Sequence, residues 1–355
     1  MRKVIVPMAK EYRSDADVTM AREIAEAPAA VSGQLQGLAE PLAELVGRLK
    51  RRPPQGVVTC ARGSSAHAAT FGKHLIERYI GIPVAEAAPN IASVYGRRLR
   101  LENQLFLAIS QSGRSDDLVA LALSARAAGA LTVAVVNATD GPLVPASDIV
   151  LPVGAGPELS VAASKTFVAT LAVLLRLVAS WTDDASLGSA VERLPDRLTA
   201  AAELDWSGLV DTLVGTKSLV AIGRGPTLAI AREASIKLKE TCRLHAEAFS
   251  GAEFLHGPVA MIAPSYPILM FMPTDAAVQG MRQLAISLEE KDTALFSTES
   301  GTSGAGRLPA LAPDHPETDA VCLIQSFYAM LIHLAERLGT DVDRPRHLRK
   351  VTRTR

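Results

Sequence analysis

Short apolar runs alternate along this chain with longer segments of helical period. Residues 57–60, 105–110, 131–137 and 149–153 are almost continuously apolar and bounded by turn residues, and helix-length stretches such as 116–128 separate them. Runs that are apolar at every position suit strands covered on both faces, as in a parallel sheet flanked by helices. The first half therefore predicts a doubly wound α/β domain.

The pattern then repeats. Ala61-Arg62-Gly63 closes one strand and opens a helix, and Gly223-Arg224-Gly225 does the same after Ser218-Leu219-Val220-Ala221-Ile222. Residues 268–271 answer 105–110, and 293–296 answer 132–136. Self-similarity on this scale marks a duplicated unit, so two tandem doubly wound parallel-sheet domains are expected, at 56–182 and 208–340. Residues 1–55, apolar at helical spacing between 18 and 49, predict a helical segment packing across both halves, and 183–207 a linker helix. Residues 299–309, with Gly301-Thr302-Ser303-Gly304, read as a mobile loop, and 341–355 as a polar tail.

Composition narrows the function. A length of 355 residues suits two domains of roughly 100–200 residues each. The 37 basic and 37 acidic groups cancel, and aromatics are only 4% of residues. A nucleic-acid module needs a basic stripe and stacking rings, so no nucleic acid is expected and small molecules are. Cys60, Cys242 and Cys322 are widely separated and form no CxxC, which fits neither a disulfide framework nor a thiolate zinc site. No metal or cofactor is expected. Only Val4-Ile5-Val6 precede Pro7, where a secretory segment needs ~7–15 apolar residues. The longest apolar helix, 167–181, carries Arg176 in its middle and falls short of the ~18–20 apolar residues of a membrane span. A cytoplasmic protein with no membrane partner is the expectation.

The sharpest local feature is Ile109-Ser110-Gln111-Ser112-Gly113-Arg114-Ser115-Asp116, between a buried strand and a helix. Doubly wound sheets hold ligands at the carboxyl ends of their strands. Hydroxyls, an amide and free backbone N–H groups at a helix N-terminus suit a phosphate. A lone Ser112 or Ser115 would merely cap the helix, but three hydroxyls with Gln111 exceed what capping needs. Arg62-Gly63-Ser64-Ser65 and the segment from Glu158 to Lys165 add two more polar loops at the same end of the sheet. A small phosphorylated, hydroxylated ligand is the simplest occupant.

In the second half, Glu233, Lys237 and Glu240 fall at i, i+4 and i+7 on one helix face. Two solvent-facing ion pairs would account for that spacing. The helix also opens at a binding edge, where a carboxylate could act as general base toward a C–H beside a carbonyl, and His256 as acid/base toward a ring oxygen. His245 reads as structural, and His245, Glu247 and His256 match no zinc spacing. Six Lys/Arg and no acid lie between 344 and 355, the composition of a disordered solubilising tail.

Taken together, Ser110-Gln111-Ser112-Gly113, the 158–165 segment, Lys237-Leu238-Lys239-Glu240, His245-Ala246-Glu247-Ala248, His256-Gly257-Pro258 and the 339–346 segment resemble the double sugar isomerase (SIS) domain family. The resemblance is to the isomerase half of glucosamine-6-phosphate synthase and runs over 24–355. It implies two flavodoxin-like SIS domains and a homodimer with shared active sites. It implies that Ser65, Ser110, Gln111, Ser112 and Ser115 hold a sugar phosphate, with Val161 and Ala163 lining the sugar. By the same resemblance Glu240 carries a proton between C1 and C2, and His256 of the partner subunit opens the ring. Lys350 would form a Schiff base with the open ketose, which makes the tail part of the site.

Three positions depart from the synthase pattern. Met1 is followed by Arg2, where the synthase begins a glutaminase domain with a Cys nucleophile; Arg114 stands for a usual Glu; and Arg349 replaces a small residue before the lysine. Without ammonia from glutamine, the expected reaction is isomerising deamination of glucosamine 6-phosphate to fructose 6-phosphate and ammonia. A fructosamine-6-phosphate deglycase, an aldose/ketose phosphate isomerase and an ammonia-using glucosamine-6-phosphate synthase are the neighbouring alternatives. A non-catalytic sugar-phosphate sensor is the alternative from another class, since a fold alone fixes no activity. The long-helical 1–55 segment and the presence of Glu240, His256 and Lys350 favour an enzyme.

Overall fold

The structure is a computed structural model and describes residues 18–300 and 306–350. Two helices, α1 (Thr19–Gly33) and α2 (Leu35–Arg51), precede the first domain. That domain runs β1 (Val57–Cys60), α3 (Ser64–Tyr79), β2 (Val84–Glu86), α4 (Asn90–Ser93), β3 (Leu105–Ser110), α5 (Asp116–Ala127), β4 (Leu131–Val136), β5 (Ile149–Pro152) and α6 (Lys165–Thr182). Helices α7 (Ala185–Ala202) and α8 (Ser207–Leu213) lead into β6 (Ser218–Gly223), α9 (Pro226–Cys242), β7 (His245–Ser250) and α10 (Gly251–Leu255). The second domain closes with β8 (Pro267–Met270), α11 (Val278–Glu289), β9 (Ala294–Ser300), β10 (Arg307–Ala310) and α12 (Pro316–Leu338).

The two sheets have the orders β2-β1-β3-β4-β5 and β7-β6-β8-β9-β10, and every neighbouring pair is parallel. In each, the chain steps from its first strand to an edge and then crosses back to build the other side. This shared path is the duplication read from the sequence. It also sets a switch point between β1 and β3, and another between β6 and β8, the crevices where such sheets take ligands.

All six residues of β3 are buried, as its uninterrupted apolar run requires. Strands β2, β7 and β10 lie outside the sequence pattern because each is short, polar or at an edge, β2 having only three residues. In β7, His245 and Glu247 are exposed and alternate with buried or half-buried neighbours, which an edge strand permits. Strand β10 contains Pro309, tolerable only at an edge. The expected loop at 299–309 is therefore shorter: Glu299 belongs to β9 and Arg307–Pro309 to β10, while 301–305 lie outside the described residues.

Helices α6 and α12 are long and apolar enough to cross a membrane, yet 89% of each such window is buried in the fold, so they are core helices. Arg176, the charge in the middle of α6, donates Nε to Gln34 Oε1 at 3.3 Å. Gln34 marks the break between α1 and α2 and donates to Val153 O at 2.8 Å and Ala169 O at 2.9 Å. The expected N-terminal helix is thus a pair. Helix α1 packs on α6, α7 and α12, and Gln325 on α12 donates to Ile24 O at 2.9 Å, so α1 spans both halves.

Candidate active site

At the carboxyl edge of the first sheet, the turn after β1 presents Arg62, Gly63, Ser64 and Ser65, and the turn after β3 presents Ser110 to Ser115. Gly113 has φ +61°, a conformation glycine adopts at least cost. The loop packs so closely on Gly141 that a Cβ there would meet Ser112 O at 2.7 Å. Backbone contact of this kind leaves the loop one shape.

Within it, Ser110 Oγ accepts from Gly113 N at 3.1 Å and Ser112 Oγ accepts from Arg114 N at 3.3 Å. Each hydroxyl uses an oxygen lone pair on the backbone, which leaves its own O–H available to donate outward. Ser115 occupies the N-cap position of α5 but makes no side-chain cap bond. Simple capping therefore does not account for these hydroxyls. Asp117, buried beneath them, is neutralised by Arg62, whose Nη2 and Nε lie 2.5 and 3.1 Å from Oδ2. Arg114 turns outward to Asp140 at 2.7 Å.

The second domain supplies one wall through α9. Glu233 and Lys237 are 0% and 1% exposed, which overturns the solvent-facing ion pairs that their spacing allows. Glu233 Oε1 accepts from Ser64 Oγ at 3.1 Å and Tyr328 OH at 2.9 Å, and Oε2 lies 2.9 Å from His67 Nδ1. Lys237 Nζ lies 3.3 Å from Glu233, and donates to Ser64 Oγ at 3.0 Å and Glu240 Oε2 at 2.8 Å. Burial opposes ionisation of Glu233, but Lys237 and the His67 hydrogen bond outweigh it and hold the carboxyl below its ordinary range. Burial likewise opposes the charge on Lys237, yet the flanking Glu233 and Glu240 raise its pKa. Burial, and then Glu233, push the Tyr328 hydroxyl well up, keeping it a donor. Helices α3 and α12 cover this face of α9, a fact invisible in the spacing alone.

The remaining wall is the loop after β5 together with the tail. Glu158, buried, accepts at Oε1 from Ser164 N and Thr166 N, both at 3.0 Å, and so caps α6 from outside it. The tail is ordered as far as it is described: Lys350 Nζ donates to Ser160 O at 2.6 Å and lies 3.5 Å from Glu158 Oε2. This overturns the disordered tail that composition suggests; residues 351–355 lie outside the described residues.

Ser65, Ser110, Gln111, Ser112, Ser115, Val161, Ala163, Glu240 and Lys350 line one cavity of about 340 Å³, with Lys237, Arg62 and Arg349 beside them. Among the expected site residues only His256 stands apart, exposed just after α10. His245 begins β7 at the opposite, amino edge of the sheet. Among the described residues no three His, Cys, Asp or Glu side chains group as metal ligands. Residue spacing gives no hint of Tyr328, which reaches Glu233 across 95 residues, nor of the approach of Glu158 to Lys350 across 192, although the 158–165 segment itself reads as a polar loop at this edge.

Two tandem parallel-sheet domains with hydroxyl-rich loops at one carboxyl edge and charged groups from the second copy define a duplicated doubly wound α/β protein with a polar small-molecule cavity. The SIS domain family model matches residues 53–180 and 212–334, and the chain belongs to that family. A glutamine–fructose-6-phosphate aminotransferase (isomerizing) of Symbiobacterium thermophilum is 31% identical over 357 residues, 93% of this chain and 58% of that protein. The chain thus spans under two thirds of the length of the curated relatives it matches. A crystal structure of a protein classed as a phosphosugar isomerase from Silicibacter pomeroyi superposes with a TM-score of 0.88 at 42% identity, over 92% of this chain and 100% of that one. The C-terminal domain of glucosamine-fructose-6-phosphate aminotransferase from Francisella tularensis shares the fold, with a TM-score of 0.82 at 24% identity over 94% of this chain and 100% of that one.

Proposed function

We propose that this chain is an isomerising deaminase that converts glucosamine 6-phosphate and water to fructose 6-phosphate and ammonia. One observation carries the reading: a carboxylate (Glu240), an amine (Lys350) and the 110–115 hydroxyls line the same cavity of about 340 Å³, a volume suited to a small ligand. The phosphate sits against Ser65, Ser110, Gln111, Ser112 and Ser115, with the sugar along Val161 and Ala163. His256 of the partner subunit in a homodimer moves a proton from the O1 hydroxyl to the ring oxygen, which opens the ring to the aldehyde. Glu240 removes the C2 proton, leaving a C1–C2 enolamine, and returns the proton to C1, leaving a C2 imine. The Lys350 amine adds to C2 and ammonia departs; water then cleaves the lysine imine to the C2 ketone and frees the lysine.

Burial pushes the thiols of Cys60, Cys242 and Cys322 up to about 12, so none of the three is a ready thiolate nucleophile.

One observation favours a second reading. Arg349 lines the cavity beside Lys350, and its side chain has no hydrogen-bond or ion-pair partner among the described residues. It suits a carboxylate on the departing amine, as in a fructosyl-amino-acid 6-phosphate. A panel of 6-phosphorylated amino sugars and fructosamines, assayed for released ammonia and amino acid, separates the readings. Ammonia from glucosamine 6-phosphate supports deamination, and amino acid released from fructosamines alone supports the deglycase. Aldose/ketose interconversion without either product restores the simple isomerase, and tight binding without turnover restores the sensor.

A further inference from the structure

Helix α1 begins without a cap of its own: Val18 makes no side-chain cap bond and no acid lies in the first turn. Two of its free N–H groups go to Asp343, near the other end of the chain, with Thr19 N donating to Oδ2 at 3.0 Å and Met20 N to Oδ1 at 2.9 Å. A carboxylate gripping a helix N-terminus in this way satisfies two orphan donors and complements the helix dipole. The carbonyl of Asp343 also accepts from Val161 N at 3.3 Å, tying the tail to a wall of the cavity. Asp341 Oδ1 accepts from Asp343 N at 3.0 Å and Arg344 N at 3.1 Å, which fixes the turn by which the tail leaves.

Further along α1, Glu23 is only 3% exposed and accepts from Leu159 N, Ser160 N and Ser160 Oγ. Ser160 O in turn accepts from Lys350 Nζ. Helix α1 therefore holds the seat of Lys350 from both sides, the loop through Glu23 and the tail through Asp343. It does so from outside the two segments that match the SIS domain, 53–180 and 212–334.

We infer that Asp343, acting through α1, is a positioning residue for the Lys350 amine, an inference that rests on the imine role proposed above. None of these bonds involves Ser65 or the 110–115 loop, so losing them disturbs the amine and spares the phosphate. The test uses the full chain as Asp343→Ala and Asp343→Asn. Borohydride trapping of fructose 6-phosphate on Lys350 is measured beside the binding of a hexitol 6-phosphate, which offers a phosphate but no carbonyl. Misplacing a reacting group by about 1 Å costs roughly 10²-fold, and that loss is expected in the trapping rate and in kcat of the Ala variant, with hexitol phosphate affinity unchanged. The Asn variant keeps one acceptor and falls between, and it carries the test if the Ala variant fails to fold. Trapping at the unaltered rate in a folded Asp343 variant overturns the inference, as does a loss of hexitol phosphate binding equal to the loss of trapping. No trapping on Lys350 in the unaltered enzyme overturns the imine reading itself, and this inference with it.

Discussion

Lys237 Nζ donates to Glu240 Oε2 at 2.8 Å, three residues along the same helix. The ammonium that steers this carboxylate is itself fixed from the other side by buried Glu233 and by Ser64. Glu240 keeps 22% of its side chain exposed while its partner keeps 1%, so the network delivers one carboxylate to the cavity and buries the rest. A buried ion pair contributes little to stability against an apolar substitute, and its value here lies in aim.

Glu240→Gln retains the shape and an acceptor for Lys237 but cannot take a proton. Turnover is expected to fall about 10²–10⁴-fold, with substrate affinity largely kept. Solvent-exchange labelling at C1 and C2 of the sugar checks it directly. Labelling at the unaltered rate in this variant would remove Glu240 from the proton transfer.

The Glu233–Lys237 pair predicts a pH dependence of stability. The folded pKa of Glu233 lies below its ordinary 4.5, so its contribution is complete above that value and is lost as pH falls through the lower folded one. Lys237 is raised above 10.5, so its contribution holds below that value and is lost only as pH rises through the higher one. Thermal unfolding of the unaltered protein and Glu233→Gln should show a stability gap that is constant from pH 6 to pH 9 and narrows below about pH 4.5. Lys237→Met leaves Glu233 buried without its ammonium and should cost about 3–5 kcal/mol at neutral pH. A gap that widens on acidification would mean that Glu233 is protonated in the folded enzyme.

Ser110→Ala with Ser112→Ala removes two outward hydroxyls. A hydrogen bond to a charged group contributes ~1.5–3 kcal/mol, so KM for a phosphorylated sugar should rise ~10-fold or more. The fold should persist, because the lost bonds to Gly113 N and Arg114 N are local to the loop. An unchanged KM would move the phosphate elsewhere.

The parts of the fold legible in the sequence are those where one physical effect dominates. Strands β1, β3 and β4 declare themselves because burial on both faces makes nearly every position apolar, and the short edge strand β5 because its run is apolar throughout. Strand β7 does not, because an edge strand exposes His245 and Glu247, and β10 does not, because Pro309 and the neighbouring Gly and Ser residues read as loop. The 110–115 loop is legible as a candidate site because its hydroxyls outnumber what a cap needs. The spacing of Glu233, Lys237 and Glu240 leaves solvent-facing ion pairs open beside a site role, because nothing local reveals that α3 and α12 cover that face, and Tyr328 reaches Glu233 from 95 residues away. Lys350 had no local mark at all: only the family resemblance pointed to it, because its seat is built by Ser160 O, Glu158 and, through them, Glu23.

The final prediction concerns that lysine. Lys350 is held at Ser160 O and beside Glu158 at the wall of the cavity. Attack on a carbonyl requires its amine to leave those oxygens. Borohydride added with fructose 6-phosphate should attach one hexitol phosphate per chain, found on Lys350 by peptide mass spectrometry. Lys350→Met should abolish the adduct and ammonia release together. Cavity occupancy by the sugar phosphate should survive in that variant, since the hydroxyl loop is untouched. Adducts spread over surface lysines, or intact turnover in Lys350→Met, would defeat the imine and leave an enediol isomerase in which Glu240 works without a covalent partner.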